Sequence, residues 1–160
     1  MILLEDSRQQ RGKHRNIEAY CKRMGIELVR QKLDVGDYMF PGGKISVDTK
    51  QDIMELCKDI MSNDHRRFRD ECIRAQEHGI QLVILIEEYP PYGKVDLWEV
   101  PRWQSSGKYH KYGDPMTLVP PTALRKAMLT MMEKYGVHFM FCSRLQSPAR
   151  VIKILRGECG

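Results

Sequence analysis

The chain lacks any apolar run that can cross a bilayer. Its longest, LVILI at residues 82–86, falls far short of the roughly 20 residues a spanning helix needs. Residues 1–6 carry neither a basic region nor a cleavage site, so a soluble, intracellular protein is expected, cytoplasmic if the source is prokaryotic or phage. Paired cysteines are missing too. Cys21, Cys57, Cys72, Cys142 and Cys159 are odd in number and scattered, with no C-x-x-C pair and no histidine at zinc spacing. That argues against a disulfide framework or a zinc site, and reduced, mostly buried thiols are expected. Internal repeats, low-complexity tracts and glycine-rich phosphate loops are absent as well. What is present is 160 residues at 42% hydrophobic content, which suits a single domain with an adequate core. Lys and Arg number 26 against 21 Asp and Glu, a net charge of +5. This balance is compatible with a polyanionic partner.

The chemistry concentrates in residues 33–56, LDVGDYMFPGGKISVDTKQDIMEL. Residues 35–40 and 44–49 read as short strands around the turn signal Pro41-Gly42-Gly43, so a β-hairpin is predicted, followed at once by a helix. Alternation along a strand sets Asp48 and Lys50 on one face and Val47 and Thr49 on the other. The short turn returns Asp37 close to Asp48, near enough for both carboxylates to hold one cation. Mg²⁺ favours one or two carboxylates completed by water and phosphate oxygens, and an ammonium beside them orients water or offsets transition-state charge. An isolated D-x-K triplet also describes an ordinary solvated strand end.

The context of that triplet, Gly36-Asp37-Tyr38 and then Val47-Asp48-Thr49-Lys50-Gln51-Asp52-Ile53, closely resembles the nuclease domain of the XPF-type structure-specific endonucleases. These belong to the wider PD-(D/E)xK superfamily. Asp48 stands where the family has Glu, and Thr49 where it has Arg. Asp6-Ser7-Arg8-Gln9 is similar to the family's D-x-R-E opening, with Gln9 in place of Glu. The resemblance implies a Mg²⁺-dependent (or Mn²⁺-dependent) endonuclease acting on DNA, branched or flapped. In it Asp37 and Asp48 are metal ligands, the Thr49 carbonyl is a further ligand, Lys50 assists the water, and Asp6 is a candidate third carboxylate. Arg8, Arg66 and Arg67 become candidates for phosphate contact, since guanidinium forks suit phosphate. A solvated basic helix face with Asp70 and Glu71 as partners is the alternative for Arg66 and Arg67. Glu87 matches a family L-x-E ending at the edge of the site. Family members carry a helix-hairpin-helix domain after the nuclease, so the resemblance implies that a partner bearing that domain, or the long insertion at 89–119, supplies its function, and a homodimer is a further expectation. The competing functions are a non-catalytic DNA-binding scaffold and a PD-(D/E)xK resolvase or repair exonuclease.

Elsewhere the periodicities predict strands at 1–5, 26–33, 81–87 and 137–142, and helices at 16–24, 51–61, 65–75, 122–135 and 147–155. The continuous apolar run at 82–86 marks a central strand covered on both faces. The order gives a three-layer α/β domain of restriction-endonuclease-like fold, a mixed central sheet flanked by helices. The apolar stripes of the last two helices are expected to provide a dimer face. Residues 89–119 have no strong periodicity and mix Trp98, Trp103, Tyr109 and Tyr112 with Lys108 and Lys111. This insertion reads as a DNA-contacting segment, with Lys108 and Lys111 on phosphates, or as a packed lid.

Overall fold

A computed structural model describes residues 1–10, 15–61, 65–89 and 121–159. The insertion with Lys108 and Lys111 lies outside the described residues. The elements are β1 (Ile2–Asp6), α1 (Arg15–Met24), β2 (Glu27–Gln31), β3 (Tyr38–Met39), β4 (Ile45–Lys50), α2 (Ile53–Met61), α3 (His65–Glu77), β5 (Gln81–Ile86), α4 (Pro121–Tyr135), β6 (His138–Phe141) and α5 (Ser147–Leu155). The strands form one sheet in the order β2-β1-β3-β4-β5-β6. Every neighbouring pair is parallel except those made by β3, which runs against both β1 and β4. The predicted mixed α/β architecture is thus the observed one.

The apolar run at 82–86 alternates between two cores, as strand geometry requires. Leu82, Ile84 and Ile86 meet α2, α3 and α4 through Leu56, Ile60, Phe68, Leu124 and Met128. Val83 and Leu85 turn to the opposite face, where Ile17, Cys21, Val151 and Leu155 of α1 and α5 cover them. Two layers of helix therefore clamp one sheet. The apolar stripe of α5 is consumed inside this core, whereas α4 leaves Leu129 and Met132 exposed. No helix among the described residues is long and apolar enough to cross a membrane. Cys21, Cys57, Cys72 and Cys142 are buried free thiols, and Cys159 is partly exposed.

Parallel pairing gathers strand ends at one edge. Asp6 closes β1, Lys50 closes β4, Ile86 closes β5, and the antiparallel β3 begins one residue after Asp37 at that same edge. In open α/β sheets this carboxyl-terminal edge is where ligands bind. The predicted hairpin is present, but its first strand is only Tyr38–Met39. Residues 35–37 depart from the ladder because Gly36 adopts φ +72°, which turns the chain so that Asp37 enters the edge side-on.

That turn tolerates only glycine. A Cβ at Gly36 would overlap Ser46 Oγ and lie 3.1 Å from the Val47 carbonyl. Ser46 cannot retreat without loss, since its hydroxyl donates to the Val35 carbonyl at 2.7 Å. Gly36→Ala is expected to destabilise the fold by about 2 kcal/mol or more, the left-handed backbone penalty plus the displaced serine. Urea unfolding of the two proteins measures it, and equal midpoints would show that the turn relaxes freely.

Candidate active site

The site is built on the end of β4 and the loop that enters β3. Asp37 is fixed through its backbone on two sides: its N–H donates to the Val47 carbonyl at 2.8 Å, and its own carbonyl accepts from the Asp6 N–H at 2.8 Å. Its side chain is held as firmly, because Oδ2 accepts both the Thr49 N–H and the Thr49 hydroxyl, each at 2.8 Å. Thr49, whose carbonyl the resemblance offers as a metal ligand, thus touches the site through two donors that orient Asp37. Burial raises the Asp37 pKa well above the usual carboxylate range, and the charge of Asp48 raises it further; the Thr49 donors and Lys50 oppose this.

Asp48 and Lys50, two residues apart, share one face as alternation requires. Lys50 Nζ lies 3.0 Å from Asp48 Oδ2 and 2.7 Å from Asp59 Oδ2 on α2. The ammonium also sits 5.5 Å from the centroid of the Phe68 ring. Burial works to lower its pKa, but Asp48 and Asp59 outweigh burial and raise it. Lys50 is therefore a fixed cation, able to donate hydrogen bonds and unable to accept a proton in this state.

Asp37, Asp48 and Lys50 open into a cleft of about 810 Å³ whose far wall is α3, with Arg67, Glu71 and Arg74 facing in. Asp6 also lines it, but its carboxylate is already engaged by Arg8 Nε at 2.8 Å and the Leu33 N–H at 3.1 Å. Arg8 further donates to the Leu33 carbonyl at 2.6 Å. The two residues brace the loop between β2 and β3 as well as bordering the cleft. Arg66 is exposed on α3 and does not line the cleft. Glu87 lies beside Asp37 and Asp48 in an adjoining recess, accepting from Ser147 Oγ at 3.0 Å.

Three participants escape sequence reasoning. Glu71, expected as a surface partner of the α3 arginines, faces the cleft instead and accepts the Gly36 N–H at 2.8 Å. Burial, and then the charge of Asp48, push its pKa up to about 7. Arg74, one turn on, donates to the Asp34 carbonyl at 3.1 Å, so α3 grips the loop that delivers Asp37. The helical offsets among Arg67, Glu71 and Arg74 set them on one face, which was a legible signal. Asp59 offers none, since only the packing of α2 against β4 brings it to Lys50. Asp70 also borders the cleft but stays half-exposed, 3.8 Å from Arg69.

These residues fit a hard divalent cation. Asp37 and Asp48 are buried oxygen donors forced close enough for one charge to raise the pKa of the other, and they border an open cleft. Mg²⁺ or Mn²⁺ relieves such repulsion and takes its remaining ligands from water and phosphate. No cluster of three or more acidic, histidine or cysteine side chains is assembled to hold a metal among the described residues.

The mixed six-stranded α/β sheet with its flanking helices matches the fold of the XPF nuclease domain. The chain is similar to XPF from Aeropyrum pernix with a TM-score of 0.67 at 18% identity, covering 99% of this chain and 65% of that one. It is similar to the structure of Aeropyrum pernix XPF in complex with DNA with a TM-score of 0.66 at 19% identity, covering 98% and 64%. This chain thus spans slightly less than two thirds of the chains it matches. No curated protein matches the sequence. The ERCC4 domain model matches residues 6–155, and the chain belongs to the ERCC4 domain family.

The Glu71 carboxyl gives a pH signature. A folded-state pKa of about 7, raised above the ordinary carboxyl range, means its contribution to stability is fully present at low pH and lost as pH rises through 7. Glu71→Gln should leave the melting temperature almost unchanged at pH 5 and raise it at pH 8.5 in chelator. Thermal melts at the two pH values read this out, and a variant less stable than wild type at pH 8.5 would contradict it.

Proposed function

We propose that this domain hydrolyses DNA phosphodiester bonds with Mg²⁺ or Mn²⁺ and acts on branched or flapped DNA. The observation that carries this reading is the buried Asp37–Asp48 pair, raised in energy by its own like charges and placed beside a fixed ammonium in an open, arginine-edged cleft. Asp37 and Asp48 would hold the cation, with the Thr49 carbonyl completing the protein ligands. A divalent ion there supplies Lewis-acid polarisation of the phosphoryl oxygen and neutralises developing charge.

The chain's own residues do the rest. Thr49 locks Asp37 Oδ2, so the carboxylate keeps its orientation without substrate. Lys50, held between Asp48 and Asp59, donates a charge-assisted hydrogen bond to a phosphate oxygen or to the attacking water, and its raised pKa makes it a positive electrostatic group. Arg67 and Arg74 on the opposite wall offer guanidinium forks to neighbouring phosphates. Glu71 and Arg74 keep the Asp37 loop seated against α3. Self-association belongs to the same reading, through Leu129 and Met132 on the exposed side of α4.

Cleavage of a labelled panel of flap, junction and duplex DNA in Mg²⁺ tests the proposal. Asp48→Asn should abolish cutting while circular dichroism stays native, and DNA binding should persist as one phosphate-repelling charge is removed. Lys50→Ala should reduce the rate roughly 100- to 10,000-fold, the scale for loss of one preorganised charged group. Full activity in folded Asp48→Asn would overturn the active-site assignment. A wild type that binds these DNAs and cuts none of them would favour the scaffold reading.

A further inference from the structure

The end of β4 serves two hollows, one on each side of the sheet. Asp48 and Lys50 line the catalytic cleft on the α2 and α3 side. Thr49 and Gln51 line a second cavity of about 360 Å³ on the side of α1 and α5. The separation follows from strand alternation. A recess of about 160 Å³ lies between the two and shares residues with each: Asp37, Asp48 and Lys50 with the cleft, and Thr49, Gln51, Glu87 and Arg144 with the second cavity, while Glu55 also borders it. A phosphate resting over Asp37 and Asp48 is therefore next to the second cavity.

The walls of that cavity match a nucleotide. Arg15 opens α1 and has no ion-pair partner among the described residues. Arg144 meets Glu87 only at 3.8 Å, with its side chain 62% exposed, a weak tie that leaves the guanidinium available. Against these two cations the described lining sets one carboxylate, Glu87, which accepts a hydrogen bond from the Ser147 hydroxyl. The first turn of α5 borders the cavity, and its N-cap residue Gln146 makes no side-chain capping bond, so the positive helix end adds to the field. Ile17, Pro148 and Val151 make an apolar wall, and Asn16 and Gln51 bring amides that donate and accept. The volume is far more than a lone phosphate needs and falls within the range of small-molecule sites.

We propose that this cavity receives one unpaired nucleotide of the strand being cut, next to the phosphate held over Asp37 and Asp48. The inference rests on the nuclease reading above and deepens it by naming how the substrate is selected. Arg15 and Arg144 each take one of the phosphates flanking the nucleotide, the apolar wall takes the base, and the amides read its edge. A base inside a duplex must be unstacked and unpaired before it can enter, whereas a base at a flap or junction is already free. The cavity thus favours branched DNA without reading sequence.

The experiment is equilibrium binding of the full chain to a fluorescent flap DNA in Ca²⁺, which accepts looser oxygen coordination. A single abasic residue is moved one position at a time through the branch point. Wild type should lose roughly tenfold in affinity at one position and little at the others, the scale of one lost base contact. The Arg15→Ala/Arg144→Ala double variant, both residues being exposed, should fold normally, bind the flap roughly tenfold more weakly, and lose about 1.4 units of salt slope for two single-strand phosphate contacts. Its binding to unbranched duplex should change less. A flat abasic scan, or an unchanged salt slope in the double variant, with the flap still bound by wild type, overturns the cavity and leaves the nuclease reading standing. A wild type that binds no DNA of any form overturns both.

Discussion

Two like charges held out of water organise this molecule. Placing Asp37 and Asp48 together at a sheet edge costs several kcal/mol per buried ion unless the surroundings answer, and most of the neighbouring structure is that answer. Thr49 spends both of its donors on Asp37, and Lys50 spans Asp48 and Asp59. Even so the balance stays incomplete. The Asp37 carboxyl remains well above its ordinary pKa, a residual strain that a divalent cation is suited to relieve.

Holding that strain requires a rigid frame, and topology provides it. Because β3 alone runs against its neighbours, the loop that enters it ends at the same edge where β1, β4 and β5 finish. Asp37 thereby meets Asp48 from an adjacent strand. Gly36 makes the turn into β3 with a backbone that a side chain would obstruct, and α3 clamps the same loop through Glu71 and Arg74. The two apolar cores on either face of β5 then fix the sheet against both helix layers. Chemistry at the edge and packing in the interior are one construction.

The alternation of β4 has a second result. Residues on the α2 and α3 side belong to the cleft, and residues on the α1 and α5 side belong to the second cavity, so a single strand end addresses both faces. The backbone and hydroxyl of Thr49 lie at the junction, orienting Asp37 while bordering the far cavity. On the proposed nuclease reading, a nucleic-acid strand would be held on one side of the sheet and attacked on the other.

Much of this was legible in the chain. The apolar run at 82–86 announced a strand buried on both faces, the helical periods located the helices to within two residues at most ends, and Pro41-Gly42-Gly43 announced the hairpin. Asp37, Asp48 and Lys50 could be named together because turn length and strand alternation are local properties. What the sequence could not assign was depth and partnership. Glu71 and Asp70 are adjacent acids on one helix and both border the cleft, yet Glu71 is buried and driven up to a pKa of about 7 while Asp70 stays half-exposed. Asp59 becomes a partner of Lys50 only when α2 packs on β4. Asp6 proved to be as much a brace for Arg8 and Leu33 as an edge of the cleft. The sequence by itself determined the order of elements, the face of β4 that carries the carboxylate and the ammonium, and the kind of chemistry they permit. Only the tertiary structure decided which charges are buried against one another, because desolvation and Coulomb energy depend on what stands within a few ångströms in space, and chain spacing sets that distance only for near neighbours.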